Sequence, residues 1–260
     1  MKAQRPGALL LDGGDTWQGS ATALWTRGED MVEAAKLLGV DIMTGHWEFT
    51  LGAARVRELI DTRLKGRIDF LAQNVATADF GDPVFTPWMM RQVNGVPIAI
   101  VGQAFPYVPI AHPRHLVEEW TFGIQEERLQ KTVNEALAKG AHAVVLLSHN
   151  GMDVDLKLAS RVRGIDVILG GHTHDAVPEP VPVKNAGGTT LVTNAGCNGK
   201  FLAVGDVRRA ADTTNGVPAL IDLHIGDREA LDTGDRTVVA EVVTVADHVA
   251  TAELELVGRR

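Results

Sequence analysis

Gly170-Gly171-His172-Thr173-His174-Asp175 sets two imidazoles at i and i+2 directly behind an apolar run, Ile165 to Leu169. The run reads as a buried strand, and the paired glycines let the backbone turn sharply and approach a ligand closely. Two histidines spaced this way in a strand-end loop can face one point, with a cation between them. On its own a His-x-His is equally compatible with two polar loop residues. Three other apolar runs lead into residues of the same chemistry. Asp15 follows Ala8-Leu9-Leu10-Leu11, His46 follows Val40-Asp41-Ile42-Met43, and His149 follows Ala143-Val144-Val145-Leu146-Leu147. One carboxylate with four imidazoles suits zinc, manganese or iron, and a carboxylate can bridge two ions about 3.5–4 Å apart. Taken singly, Asp15 could cap a turn, His46 could fill a core and His149 could cap the next helix. Their coincidence at successive strand ends points to a shared metal site.

Around these residues stand others of lesser weight. Glu48, Asn150 and Asp175 adjoin the ligands and are expected to support them from behind. Trp17 and Trp47 read either as core aromatics or as walls of a substrate channel. Cys197 has no activating base beside it and reads as a small buried residue of the Asn194-Ala195-Gly196 region. His112, His115 and His142 are isolated in sequence and read as structural or solvated.

The elements that must position the site alternate in type. Beyond the runs already named, Asp30 to Leu38 has apolar residues at helical spacing and stops at Gly39. Ala53 to Ile60 reads as a helix, Ile68 to Val75 as a strand, and Gln125 to Lys139 as an amphipathic helix ended by Gly140. Val84 to Val93 and Pro97 to Val101 read as a hairpin turning at Asn94-Gly95, a pair that favours the two-residue primed turns. Val154 to Val162 reads as a helix, Thr190 to Asn194 and Phe201 to Val204 as strands. Alternation of this kind predicts an α/β fold with helices covering the sheet faces. Its polar motifs lie where ligands of such sheets collect, just beyond the strands. Residues 1–205 are expected to form the catalytic core. Residues 206–260, with no aromatic and no lysine, are expected to form an appendage with possible strands.

Composition narrows the function. The chain has 260 residues, a formal charge of −8, 45% hydrophobic and 22% charged residues, and one cysteine. The length supports an ample core. The formal charge of −8 and the few basic clusters argue against nucleic-acid partners. No run approaches the roughly 20 apolar residues of a membrane span, and the opening residues hold no signal-peptide core.

Gly14-Asp15, Gly45-His46-Trp47-Glu48-Phe49, Ser148-His149-Asn150-Gly151 and Gly170-Gly171-His172-Thr173-His174 resemble the ordered motifs of the calcineurin-like metallophosphoesterases, 5′-nucleotidase branch. Longer segments resemble the SoxB thiosulfohydrolases of sulfur oxidation within that branch. These are Asp12 to Ser20, Thr44 to Thr50, Gln103 to Tyr107, Phe122 to Gln130 and Leu146 to Asp155; the likeness runs over residues 8–204.

The resemblance implies a calcineurin-like core of β-sheets flanked by helices and two manganese ions. Asp15 would bridge the ions, His46, His149 and His172 would complete one, and His174 would serve the other. Asp15, His46 and His149 would carry catalysis. The implied reaction releases sulfate from a cysteine S-thiosulfonate on a sulfur-carrier protein in the periplasm. A 5′-nucleotidase-like phosphomonoesterase and an inactive metal-binding fragment are the alternatives. His46 stands where these phosphoesterases usually have asparagine, and Trp47 where they have the histidine that protonates the leaving oxygen.

Two departures bear on the site. The family's first strand ends in Asp-x-His and supplies two further ligands to the His174 ion; it is missing here, as are an export signal and a C-terminal substrate-binding domain. The chain therefore reads as the middle of a longer protein, with one well-formed metal site and an open sheet edge beside its first strand. Asp222-Leu223-His224 has the missing form, and in a strand both side chains would face one way. Its surroundings and its place in the chain do not match the motif.

Overall fold

Leu9-Leu10-Leu11 is apolar at every position because both of its faces are covered. It forms β1 (Leu9–Asp12), whose Leu9 and Leu11 enter one core while Leu10 enters another. The computed structural model describes residues 6–198, together with the strand segments 202–209, 219–226 and 240–245.

β1 pairs in parallel with β2 (Ile42–Met43), and β2 with β3 (Asp69–Phe70). A two-stranded ribbon of β4 (Ala76–Thr77) and β7 (Trp120–Thr121) stands apart. β5 (Trp88–Val93) and β6 (Val96–Gln103) form the hairpin expected at Asn94-Gly95, where φ is 50° and 83°. β8 (Ala143–Ser148) and β9 (Val167–Gly170) extend it in parallel, followed by β11 (Gly188–Asn194) and the antiparallel β10 (Val181–Asn185). β12 (Leu202–Arg209), β13 (Ala219–Gly226) and β14 (Ala240–Val245) return to β1. The result is two six-stranded sheets, ordered β13-β12-β14-β1-β2-β3 and β10-β11-β9-β8-β6-β5.

The sheets face each other across one apolar layer, in which Leu9, Leu11 and Ile42 meet Ile100, Val145, Leu147 and Leu169. Alternation along the strands sends the remaining side chains outward, under helices. On the first sheet α2 (Glu29–Leu38) buries Met31, Val32 and Ala35, near the short α1 (Ala21–Thr26) and α3 (Ala53–Glu58). On the second, α5 (Glu126–Ala138) and α6 (Met152–Ala159) bury Leu129, Val133, Ala136 and Leu158 against Val144, Leu146 and Ile168. A four-residue helix, α4 (Val108–Ala111), follows β6. The α/β fold with helix-flanked sheets matches the sequence expectation, except that each sheet is covered by helices on its outer face alone.

Two further expectations change. The strand read over Ile68 to Val75 shrinks to β3 because the segment leaves one sheet for the other. The N–H of Leu71 bonds Met43, that of Ala72 bonds Thr86, and that of Gln73 bonds Gly102 of β6. The open edge beside β1 is filled: β14 lies along it in parallel, from Leu9 opposite Val242 to Asp12 opposite Val245. Among the described residues no helix is long and apolar enough to cross a membrane.

Candidate metal centre

β1, β2, β8 and β9 all deliver their chains to the same end of the two sheets, and the loop beyond each carries one residue of a buried group. Asp15, His46, His149 and His172 each offer one ligand atom, and these atoms all lie within 4.8 Å of one another. The two loops of the first sheet touch at their glycines. A side chain on Gly14, where φ is 98°, would meet the Gly45 Cα at 3.0 Å. Only glycine permits that approach and that backbone angle.

The Asp15 loop is held from below and behind. Asp12 accepts the Gly14 N–H at 2.9 Å and the Thr16 hydroxyl at 2.7 Å. Asp15 itself is in the left-handed region, φ 64°. Glu48, fully buried, accepts the N–H groups of Asp15 (3.2 Å), Thr16 (2.6 Å), Trp17 (3.3 Å) and His46 (2.7 Å), so one carboxylate clamps both ligand loops. Burial and the charge of Asp15 push its own carboxyl up, against the pull of those N–H groups. The Trp47 N–H donates to Asp15 Oδ1 at 2.9 Å.

Between the ligands the distances are short. Asp15 Oδ1 lies 3.0 Å from His46 Nδ1, Asp15 Oδ2 lies 3.0 Å from His149 Nε2, and the two imidazole nitrogens are 3.1 Å apart. His149 Nδ1 is 2.7 Å from the Gly13 carbonyl, which can only accept, so the Nδ1 proton is committed there. A neutral His149 therefore presents a lone pair on Nε2 to the Asp15 carboxylate. Only a cation, a proton or a metal ion, stabilises that approach. Burial pushes the imidazoles of His46 and His172 down to about 4, keeping them neutral and lone-paired near neutral pH. Burial would raise Asp15, but hydrogen bonds and charge from His149 and His46 outweigh it and hold the carboxyl well below its usual range. An anionic oxygen beside several imidazole nitrogens is the donor set of a divalent ion, and the group fits one.

His172 joins this group, half-buried, with its ring 4.2 Å from Phe105 and 5.0 Å from His46. His174 is exposed and stands outside the four, so the two histidines of Gly171-His172-Thr173-His174 do not share one point as the spacing alone allows. Asp175 is exposed too; it accepts the Thr173 hydroxyl at 2.6 Å. Asn150 is turned away into a buried chain: Gln73 donates to Gln103, Gln103 to Asn150, and Asn150 with Ser148 to Asp155. Trp17 is a core residue and not a channel wall, fully buried with its ring 6.2 Å from Phe70. Trp47 is 36% exposed and 5.3 Å from the His46 ring, at the mouth of the site.

No protein-family model matches the chain. Among solved structures it resembles the sulfate thiohydrolase SoxB of Thermus thermophilus, with 43% identity and a TM-score of 0.78 over 87% of this chain and 40% of that one. The chain is a SoxB-like member of the calcineurin-like, 5′-nucleotidase superfamily. The same organism's 5′-nucleotidase precursor matches at 28% identity and a TM-score of 0.73, over 86% of this chain and 46% of that one. Among curated relatives, the venom 5′-nucleotidase of Gloydius brevicauda is 28% identical over 93% of this chain and 43% of its own length. The rat 5′-nucleotidase is 30% identical over 67% of this chain and 30% of its own. The SoxB-like chain thus spans less than half the length of each of these relatives.

Sequence reasoning gave no role to Phe105 or Asp155, and it read His112 as structural or solvated. Phe105 follows the end of β6, a strand-end position that would have identified it. His112 and Asp155 carry no such signal, since elements distant in sequence bury them. His115 and His142 are exposed, and Cys197 is half-buried after β11. Asp222-Leu223-His224 falls in β13, three strand spacings (roughly 14 Å) from β1; its side chains lie outside the described residues.

Proposed function

We propose that the chain is the metal-binding core of a thiosulfohydrolase, cleaving the S–S bond of a cysteine S-thiosulfonate on a sulfur-carrier protein in the periplasm. Trp47 carries this reading. Its indole stands at the mouth of the site, where the family resemblance puts the proton donor of phosphoesterases. An indole has no proton to give near neutral pH. An alkoxide leaves a phosphate ester poorly without a proton, whereas a persulfide anion is a much weaker base and leaves without one. The identity of 43% to SoxB, against 28% to the nucleotidase of the same organism, supports the same choice.

In balanced form, R–S–S–SO3⁻ and water give R–S–SH and HSO4⁻. The S–S bond breaks with its electron pair passing to the sulfane sulfur, and an S–O bond forms. Manganese, zinc or iron, when bound, would supply positive charge and Lewis acidity for the sulfonate and water. Asp15, His46, His149 and His172 would hold one ion. His174, outside the group, would serve the second ion that the resemblance implies. Glu48 keeps the Asp15 and His46 loops in register, and Trp47 borders the entry of the sulfonate without protonating the leaving sulfur.

The test pairs two substrates on purified protein with added manganese: a peptide bearing a cysteine S-thiosulfonate, and a nucleoside monophosphate. Sulfate release should exceed phosphate release. Faster phosphate release would favour the phosphomonoesterase reading, and metal binding without either would leave a binding module. Trp47→His should raise phosphate release at least tenfold relative to sulfate release, because a positioned general acid contributes about 10²–10⁴-fold.

A further inference from the structure

His112 ends α4 and has no place in the metal motifs. It is nonetheless 5% exposed, stacked on His46 at 5.3 Å and 29° between ring planes, and 4.8 Å from the ring of Trp47. Its backbone N–H bonds Val108 at 2.9 Å, so the short helix decides where the ring emerges. Its Nε2 is buried and has no hydrogen-bond partner among the described residues. Its ring also hydrogen-bonds the His46 backbone, so His112 meets the His46 segment both through one nitrogen and through a flat face.

His46 lacks the usual means of orientation. A metal-binding histidine normally donates its second ring nitrogen to a carbonyl or carboxylate, which fixes the ring. His149 does this through Gly13. His46 Nδ1 faces Asp15 and His149, but its Nε2 is buried with no hydrogen-bond partner among the described residues. In place of that bond it has rings: Phe105 at 4.0 Å and His112 at 5.3 Å. We infer that His112 is a positioning residue whose ring face, together with Phe105, holds the His46 imidazole with Nδ1 toward Asp15 and His149. The inference rests on the metal reading of the four-residue group; the stack orients the His46 ring, and because His112→Leu and His112→Phe both lose the hydrogen bond to the His46 backbone, comparing them isolates the stack.

Cobalt(II) alone is the probe, with the full chain. Affinity is read by competition with a chelator, geometry by the visible d–d bands of bound cobalt, and folding by near-ultraviolet circular dichroism. His112→Ala should bind cobalt at least tenfold more weakly, with altered d–d bands per bound ion. His112→Leu fills the space without an aromatic face and should behave like the alanine variant while folding as wild type does. His112→Phe should stay within threefold of wild type and keep its spectrum, and His115→Ala should change nothing. The inference is overturned if His112→Leu keeps wild-type affinity and spectrum, or if His112→Phe is as weak as His112→Leu. His149→Ala binding cobalt like wild type would instead remove the metal reading, and this inference with it.

Discussion

Asp15 stands at the centre of the site in a backbone conformation, φ 64°, that a residue with a side chain seldom adopts. Glu48 makes it tolerable by accepting N–H groups on both sides of it and one more at His46. Glu48→Gln keeps the size but leaves one acceptor oxygen where there were two, and turns an N–H₂ group toward backbone donors. A buried unsatisfied pair of this kind costs about 1–3 kcal/mol. The variant should unfold at lower denaturant and bind metal more weakly, as equilibrium unfolding and chelator competition would record; wild-type values in both would refute the clamp. His149→Ala and His172→Ala should each weaken metal binding at least tenfold, about 1.4 kcal/mol. With His174 outside the four-residue group, metal analysis after dialysis should find one tightly held ion per chain, and two would refute that assignment.

Among the elements, α6 and the ends of β8 and β9 share one device. Asp155 projects from α6, takes hydrogen bonds from Ser148 and Asn150 on either side of His149, and brings its Oδ2 within 2.9 Å of where a Gly170 side chain would begin. Burial pushes its carboxyl up to about 7 from an ordinary 3.8. Because the folded state holds the proton more tightly than the unfolded chain, the contribution of Asp155 to stability is greatest below about pH 4. It falls as pH rises toward 7, by an amount on the order of a few kcal/mol. Asp166, pushed up to about 6 by burial, acts in the same direction. Asp155→Asn cannot ionise, so urea unfolding should show its stability gaining on wild type between pH 4.5 and 7.5; a constant difference would mean Asp155 is ionised throughout. This device was not legible in the sequence. β1, β8 and β9 were, since strands covered on both faces are apolar at every position, and so was the hairpin, since Asn94-Gly95 takes the positive φ its turn needs. The candidate-site residues Asp15, His46, His149 and His172 were legible because each sits just past such a strand. β10 and α1 were not, for both expose most of their side chains and show no periodicity. Asp155 and His112 owe their roles to neighbours that only the folded chain supplies.

For the whole molecule, the apolar layer between the sheets sets the separation of the ligand loops, two of which come from each sheet. Leu147→Ala, in that layer and two residues before His149, should cost about 2–5 kcal/mol. β1 owes its interior position to β14, whose pairing runs from Leu9 opposite Val242 to Asp12 opposite Val245. A chain shortened to end before β13 should expose that flank of β1 and associate through it, with a concentration-dependent mass by light scattering; a stable monomer would show that β1 needs no such partner. The pairing also has a temporal side. β5, β6, β8 and β9 lie together between Trp88 and Gly170 and pair with one another without needing β14. β1 pairs with β14, from Leu9 opposite Val242, and contacts so distant in sequence form slowly. The Asp15 carboxylate thus lies just beyond a strand that stays half-paired until β14 has joined it. The four-residue group is accordingly expected to be completed late in folding, on the side of Asp15 rather than of His149 and His172.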